Sequence, residues 1–450
     1  MVARLGSTSS RSVNGRSKLW ATGRTARSAT PRHNLKRAAL PKRHHAILET
    51  ELNGAITMSK VITPDLFNLE DPEIQKDPYP YYPVLREQKP VLRSNVGGQP
   101  CWILSRRKEI SKVLMDPHTY SNRHTPLPNM LFTDPPEHER LRLMVSSMFT
   151  RAAVQPMAAQ IQAHAELLIE RQLDVGHCDI IEDFAGPLSI ETIGRLLGIA
   201  GLHVEKLRQL SHLFVSYVRS LQLALTPSSE SRLATEELTQ LMTDLVQSHS
   251  YEDGRVISVL ADLRRTGELT TDGFVNFAIL LLVAGHSTTT NLMGNAVYML
   301  TKRPQDFNRM AEDESFVAPF LDEVLRTRPS FHRIHRVTTR DVELDGEFIP
   351  AGSIVRLMLA SANRDPDFFD DAETFDPDEK RRNHLSFGQG IHTCLGSWLA
   401  RLEASTAVAV LSRLVASVTL DQSNPPVPYS GGSFNEFGFE RLPVILSPRK

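Results

Sequence analysis

Cysteine is scarce in this 450-residue chain: Cys101, Cys178 and Cys394 are all there is, and they lie far apart. An odd, dispersed set excludes a disulfide framework and a zinc site built on paired cysteines. It fits a reducing compartment, so a cytoplasmic location is expected. An excess of charge of one sign is also lacking. Lys and Arg number 51 against 52 Asp and Glu, a formal net charge of −1, so the whole-chain balance gives no reason to expect nucleic acid or an acidic surface as partner. Long apolar runs are missing too. The longest, Phe274 to Ala284, is interrupted by Asn276 and falls well short of the ~20 residues a membrane span needs, so no membrane anchor is expected. What remains is an ordinary globular composition, 41% hydrophobic and 23% charged, with a mean hydropathy of −0.24.

One absence is local. No acidic residue precedes Glu49, and residues 1–57 carry eight Arg and three Lys against two Glu. Without a periodic apolar pattern this basic, Arg/Ser-rich extension reads as disordered. It has the make-up of an organelle transit segment, or of sequence upstream of a working start at Met58; the abrupt change of character at Met58 favours the second. A nucleic-acid-binding arm is the weakest reading, because aromatic residues are nearly absent from it, Trp20 alone being interleaved. Residues 58–450 read as a single domain.

Within that domain, short strand signals surround Val91 and Trp102–Leu104. Apolar residues then recur at three- and four-residue spacing over 106–114, 136–149, 153–173, 188–198, 203–223, 230–247, 272–302 and 305–327. Strand-and-turn text follows at Val342–Leu344, Ile349 and Ser353–Leu359, and a last helix is expected to open at 390–395 and run to about Ala416. The fold class is therefore mainly α with small β-sheets.

The segment that carries chemistry is Phe387-Gly-Gln-Gly-Ile-His-Thr-Cys394-Leu-Gly396. A lone cysteine is usually a small buried hydrophobe. Here Gly388, Gly390 and Gly396 make a loop just before a helix, and a cysteine at a helix N-terminus has its pKa lowered by free N–H groups and the dipole. Glycines also let backbone pass close to a flat, bulky partner. No His/Asn set for a thiol hydrolase accompanies it, so Cys394 is expected to be a metal ligand.

This loop resembles the haem-binding loop of the cytochromes P450, in which a cysteine thiolate holds the iron. The resemblance runs from about residue 61 to the C-terminus and is closest to the soluble bacterial, ferredoxin-dependent members. It implies the P450 fold, with haem b between a long oxygen-groove helix and the cysteine-loop helix. By that resemblance Cys394 is the axial ligand, and Phe387, Gly388 and Gly396 belong to its loop.

Four further landmarks follow in the family's order. Ala284-Gly285-His286-Ser287-Thr288-Thr289 matches the groove where dioxygen sits. Ala284 and Gly285 thin the helix for something to approach its backbone, and a hydroxyl at 288 can bond back one turn and open a local bulge. Thr288 matches the residue that helps deliver protons. The family usually has an acid just before it, where this chain has Ser287, so water, Ser287 itself or a substrate hydroxyl must take over that part of the relay. Glu323 and Arg326 match the structural ExxR pair. Its usual third partner, an Arg, falls at Glu379, leaving Arg381 or Arg382 to substitute. His138 and Arg142, one helical turn apart, together with Arg336 and His392, are implied to meet the haem carboxylates. Ala362–Asp365 and Phe375–Pro377 match the irregular segment before the cysteine loop.

The resemblance implies a monooxygenase that puts one oxygen atom of O2 into substrate and the other into water, with two electrons from a reductase chain. No GxGxxG follows a strand, so electrons are expected from a separate ferredoxin and ferredoxin reductase, docking near Lys380–Arg382. Peroxide-driven or oxidative-coupling chemistry, and a haem sensor without turnover, stay open as alternatives. Substrate choice is expected to lie with 124–131, 207–224, 279–283, 330–335 and 432–437. These stretches are largely apolar, with His332, His335, Asn435 and Glu436 as polar anchors. A polyketide, terpenoid or peptide natural product fits.

Overall fold

The computed structural model describes residues 63–125, 127, 129–199, 204–222, 225–379, 383–429 and 435–449. The expected basic extension therefore lies outside the described residues, as do Lys380, Arg381 and Arg382.

The helix Thr271–Lys302 organises the fold. Thr270 caps it by accepting the Gly273 N–H, and half of its side chains enter or pack against the largest hydrophobic core. By length and composition it could cross a membrane, but its apolar surface is mostly covered by the protein itself. It packs against Gly186–Leu197, Val204–Gln222, Ser229–Ser248 and Ser397–Leu414. An apolar surface all round is what a helix at the centre of a bundle requires.

Beside this body stands a five-stranded sheet in the order Val91–Val96, Gln99–Leu104, Ile354–Met358, Arg333–Thr338, Tyr120–Ser121. Its one parallel pairing sets Cys101 opposite Ile354; the antiparallel pairing beside it sets Arg336 opposite Val355. Strand Arg333–Thr338 keeps no exposed residue. It therefore reads as a run of mixed chemistry rather than as an alternation. A smaller sheet joins His177–Asp179, Pro443–Pro448 and Val415–Leu420.

The expected helices are present, with corrections at their ends. The 305–327 stretch is two helices, Pro304–Glu312 and Val317–Thr327, parted at Asp313, whose side chain caps the short turn that follows. The last helix starts at Ser397, beyond Cys394, and yields to strand at Val415 rather than running to Ala416. Helix Val256–Arg265 and the π-turn Ile180–Ala185 were not expected.

Two polar knots hold the parts together. Arg326, with no exposed side-chain surface, donates through both Nε and Nη2 to the Glu323 carboxylate at 2.8 and 2.7 Å, and to the carbonyls of Asn363, Ala372 and Thr374. Glu323 Oε1 also accepts the Asp376 N–H at 2.9 Å. In the second knot the His332 ring lies 3.0 Å from Tyr79 Oη and 3.1 Å from Tyr82 Oη, and stacks on Phe437 with centroids 4.0 Å apart.

Candidate active site

A cavity of about 400 Å³ opens between the long helix and the cysteine loop. Cys394, Phe387, Gly388 and Gly396 line one side of it, and Ala284, Gly285, Ser287 and Thr288 the other. His138, Arg142, Arg336 and His392 line it as well, so all the expected site residues meet around one space.

The cysteine loop is shaped by its glycines. Gly388 and Gly390 take φ of +69° and +76°, and a Cβ on Gly390 would sit 2.3 Å from the Leu114 carbonyl oxygen. A Cβ on Gly396 would meet nothing, because open cavity lies before it. The Cys394 N–H donates to Phe387 O at 2.8 Å, and the Gly396 N–H faces the sulfur. The expected lowering of the thiol pKa is not found. Burial pushes it up, against the Gly396 N–H, Arg142 and Arg401. Burial outweighs these groups, and the helix itself begins only at Ser397, after the cysteine. A bound cation would supply the missing stabilisation, since metal coordination deprotonates a thiol outright.

At the edge of the cavity is a cationic cluster. His138 and Arg142 share a face of helix Glu137–Val145. Arg142 donates to Thr393 O at 2.7 Å, and Arg336 to Asn122 Oδ1 at 2.9 Å and His335 O at 2.8 Å. The His138 and His392 rings lie 4.1 Å apart. Neither His138 nitrogen has a hydrogen-bond partner, and His392 Nε2 has none. Burial, then neighbouring cations, drives His392 down to about 2, and burial also lowers His138, so both imidazoles are neutral. Arg336, lowered to about 10 by burial, stays charged at neutral pH. Orphaned buried donors beside two guanidinium groups are what a ligand carrying carboxylates would satisfy.

Asn122 had no sequence signal, yet it orders this edge. Its Oδ1 accepts from Arg336 and lies 3.2 Å from His124 Nε2, so His124 carries its proton there. His124 Nδ1 then accepts from His335 Nε2 at 3.0 Å.

On the long helix, Thr288 donates back to Ala284 O at 2.9 Å, as expected, but the helix stays α throughout and no bulge opens. Ala284 and Thr288 are open to the cavity. Gly285 is different: a Cβ there would lie 2.7 Å from Ile193, so its smallness admits the neighbouring helix. Ser287 donates to Val283 O at 3.3 Å and to Glu436 Oε1 at 3.2 Å. Each of the expected pocket stretches contributes lining residues, among them Leu131, Phe214, Val218, Leu280, Ile334 and Glu436. His332 is a correction: its two tyrosines occupy both ring nitrogens, and it is absent from the lining.

A cradle of glycines, a thiol facing the long helix and orphaned donors at one edge fit a flat macrocycle with carboxylate substituents. Comparison with known proteins agrees. A sequence model of the family described as Cytochrome P450 matches residues 233–434. A protein named Cytochrome P450 109, from Bacillus spizizenii, is 34% identical over 85% of this chain and 96% of its own length.

The chain belongs to the cytochromes P450.

Cytochrome P450 monooxygenase PikC of Streptomyces venezuelae is 33% identical over 77% of this chain and 86% of its own. The crystal structure of CYP109E1 from Bacillus megaterium in complex with testosterone superposes with a TM-score of 0.75 at 28% identity, covering 83% of this chain and 98% of that one. This P450 is accordingly a haem-thiolate monooxygenase of the bacterial type.

Proposed function

We propose that Cys394 is the thiolate that holds the iron, and that the enzyme hydroxylates or epoxidises a largely apolar natural product of polyketide, terpenoid or peptide type. The observation that carries this reading is the single cavity onto which Cys394, the orphaned His138 and His392 nitrogens and Thr288 all face. When bound, the haem supplies dioxygen activation, the thiolate's electron density favouring O–O cleavage. The chain's own residues do the rest. His138, Arg142, Arg336 and His392 would hold the haem carboxylates. Phe387 and the Gly396 N–H shield and tune the sulfur. Thr288, held by its bond to Ala284 O, presents a hydroxyl at the groove. Phe214, Val218, Leu280 and Ile334 exclude water from around the substrate.

A separate ferredoxin with its reductase supplies electrons in this reading, and a cytoplasmic location suits cysteines that are all unbridged. The extension 1–57 lies outside the working domain, which spans 58–450.

The deciding experiment is the absorption spectrum of the reduced, carbon-monoxide-bound protein, wild type beside Cys394→Ser. A strongly red-shifted Soret band that the substitution abolishes is the expected outcome. A well-folded, haem-loaded wild type without that band would remove Cys394 from the role. Titration with testosterone, the ligand of the superposed structure, tests the substrate class: an apolar substrate that displaces water from iron shifts the Soret band of the oxidised protein.

A further inference from the structure

The long helix has no carboxylate immediately before Thr288, where Ser287 stands, but one reaches the same place from a distant part of the chain. Glu436 sets Oε1 3.2 Å from Ser287 Oγ, and both residues line the cavity alongside Thr288. The contact is built, not incidental. Glu436 pairs with Phe331 in an isolated β-bridge, the Phe437 N–H donates to Ser330 O at 2.8 Å, and the His332 N–H donates to Asn435 O at 2.8 Å. Ser330 Oγ in turn donates to Thr288 O at 2.7 Å. The strap that carries the carboxyl is thus tied to the backbone of the residue following Ser287. Glu436 is 8% exposed, and its buried Oε2 has no hydrogen-bond partner.

We propose that Glu436, acting through Ser287, holds and relays the protons that oxygen reduction consumes at the cavity face of the long helix, replacing the acid this helix lacks. The inference rests on the haem-thiolate reading. Monooxygenation takes up two protons and two electrons per O2, one oxygen atom leaving as water. Each proton passed on is one that Ser287 receives from the carboxyl as it gives its own to the cavity; solvent then reprotonates Glu436. Ser287 has the bonds for this exchange. With the carboxylate ionised it donates to Oε1; with the carboxyl protonated it can accept that proton and turn to Val283 O, 3.3 Å away. Burial supports the role by raising the Glu436 pKa to about 7, so the group gains and loses a proton near neutrality. Its titratable neighbour is Tyr429, which hydrogen-bonds the carboxyl and behind which stand Arg219 and Glu440. His332 and His335 on the adjoining stretch are kept neutral by burial. The alternative duty for a buried carboxyl at the cavity, pairing with a cationic substrate, is separated from the relay by the test below.

The test uses the haem-loaded full chain as wild type, Glu436→Gln, Ser287→Ala and the double variant Glu436→Gln/Ser287→Asp. Infrared difference titration should show a protonated-carboxyl band, absent in Glu436→Gln, that disappears as pH rises through about 7. Oxygen consumption without added substrate, driven by a surrogate ferredoxin and its reductase, should fall at least about tenfold in Glu436→Gln and Ser287→Ala. The pH profile should lose its decline near neutrality in Glu436→Gln, and Ser287→Asp should restore rate in the double variant. An unchanged rate and profile in Glu436→Gln overturns the relay, as does a carboxyl ionised at every pH. A loss that Ser287→Asp does not rescue makes the residue merely structural. Weaker binding of dodecyltrimethylammonium by Glu436→Gln, with oxygen chemistry intact, would make it a substrate anchor instead. Absence of the carbon-monoxide band in wild type would sink the haem-thiolate reading, a separate failure.

Discussion

At the scale of single residues, Gly285 shows how a right position can have an unexpected reason. Sequence spacing marked it as a thin place on the long helix, but what approaches there is Ile193, 2.7 Å from where a Cβ would be. Both Gly285 and its neighbour Ala284 line the cavity, and Ala284 is the more exposed of the two. Gly285→Ala should therefore destabilise the protein by about 1–3 kcal/mol through overpacking. Ile193→Ala in the same chain should recover part of that loss, a coupling readable in a double-mutant cycle of thermal or denaturant unfolding. Strict additivity of the two changes would show that Ile193 is not the obstacle. Local spacing cannot reveal the partner helix, because the residues that meet are 92 positions apart in a chain whose intervening text says nothing about docking. The same limit explains Asn122 and Glu436, which acquire their roles from strands and loops brought in from elsewhere. The cysteine loop was legible because its glycines and thiol are contiguous.

At the scale of elements, the Glu323/Arg326 pair was readable as helical neighbours, but not what the arginine gathers. Three carbonyls of the 363–374 stretch converge on one guanidinium. A lysine ammonium has neither the fork nor the reach to serve them all while pairing with Glu323. Arg326→Lys is expected to cost about 3–5 kcal/mol, the range for breaking a buried pair. The yield of haem-loaded protein and its Tm would report it; a fully loaded variant with wild-type Tm would contradict the argument. Strand Val415–Leu420 escaped notice for a different reason. It follows the last helix with no glycine, proline or cap between them, so apolar periodicity passes from one element into the next without punctuation.

For the molecule as a whole, buried acids leave a mark on pH stability. Burial raises Glu403 to about 8 and leaves its Oε1 without a partner. The folded chain thus keeps a proton that the unfolded chain releases near the ordinary carboxylate pKa. The sign follows: stability declines as pH climbs from about 4.3 through about 8. Buried neutral His286, held near 3, acts oppositely, and its contribution is lost as pH falls below the ordinary imidazole value. Glu403→Gln should flatten the alkaline decline, raising Tm at about pH 8 more than at about pH 5; an equal shift at both would exclude ionisation as the cause. The His332 knot has a different reach. Because Tyr79 and Tyr82 meet Phe437 across one imidazole, the knot joins segments from near both ends of the described residues. A nascent chain leaving the ribosome cannot close that knot until Phe437 has emerged, about 350 residues after Tyr82. Closure of the knot is thereby a late event of folding, governed by slow long-range contact.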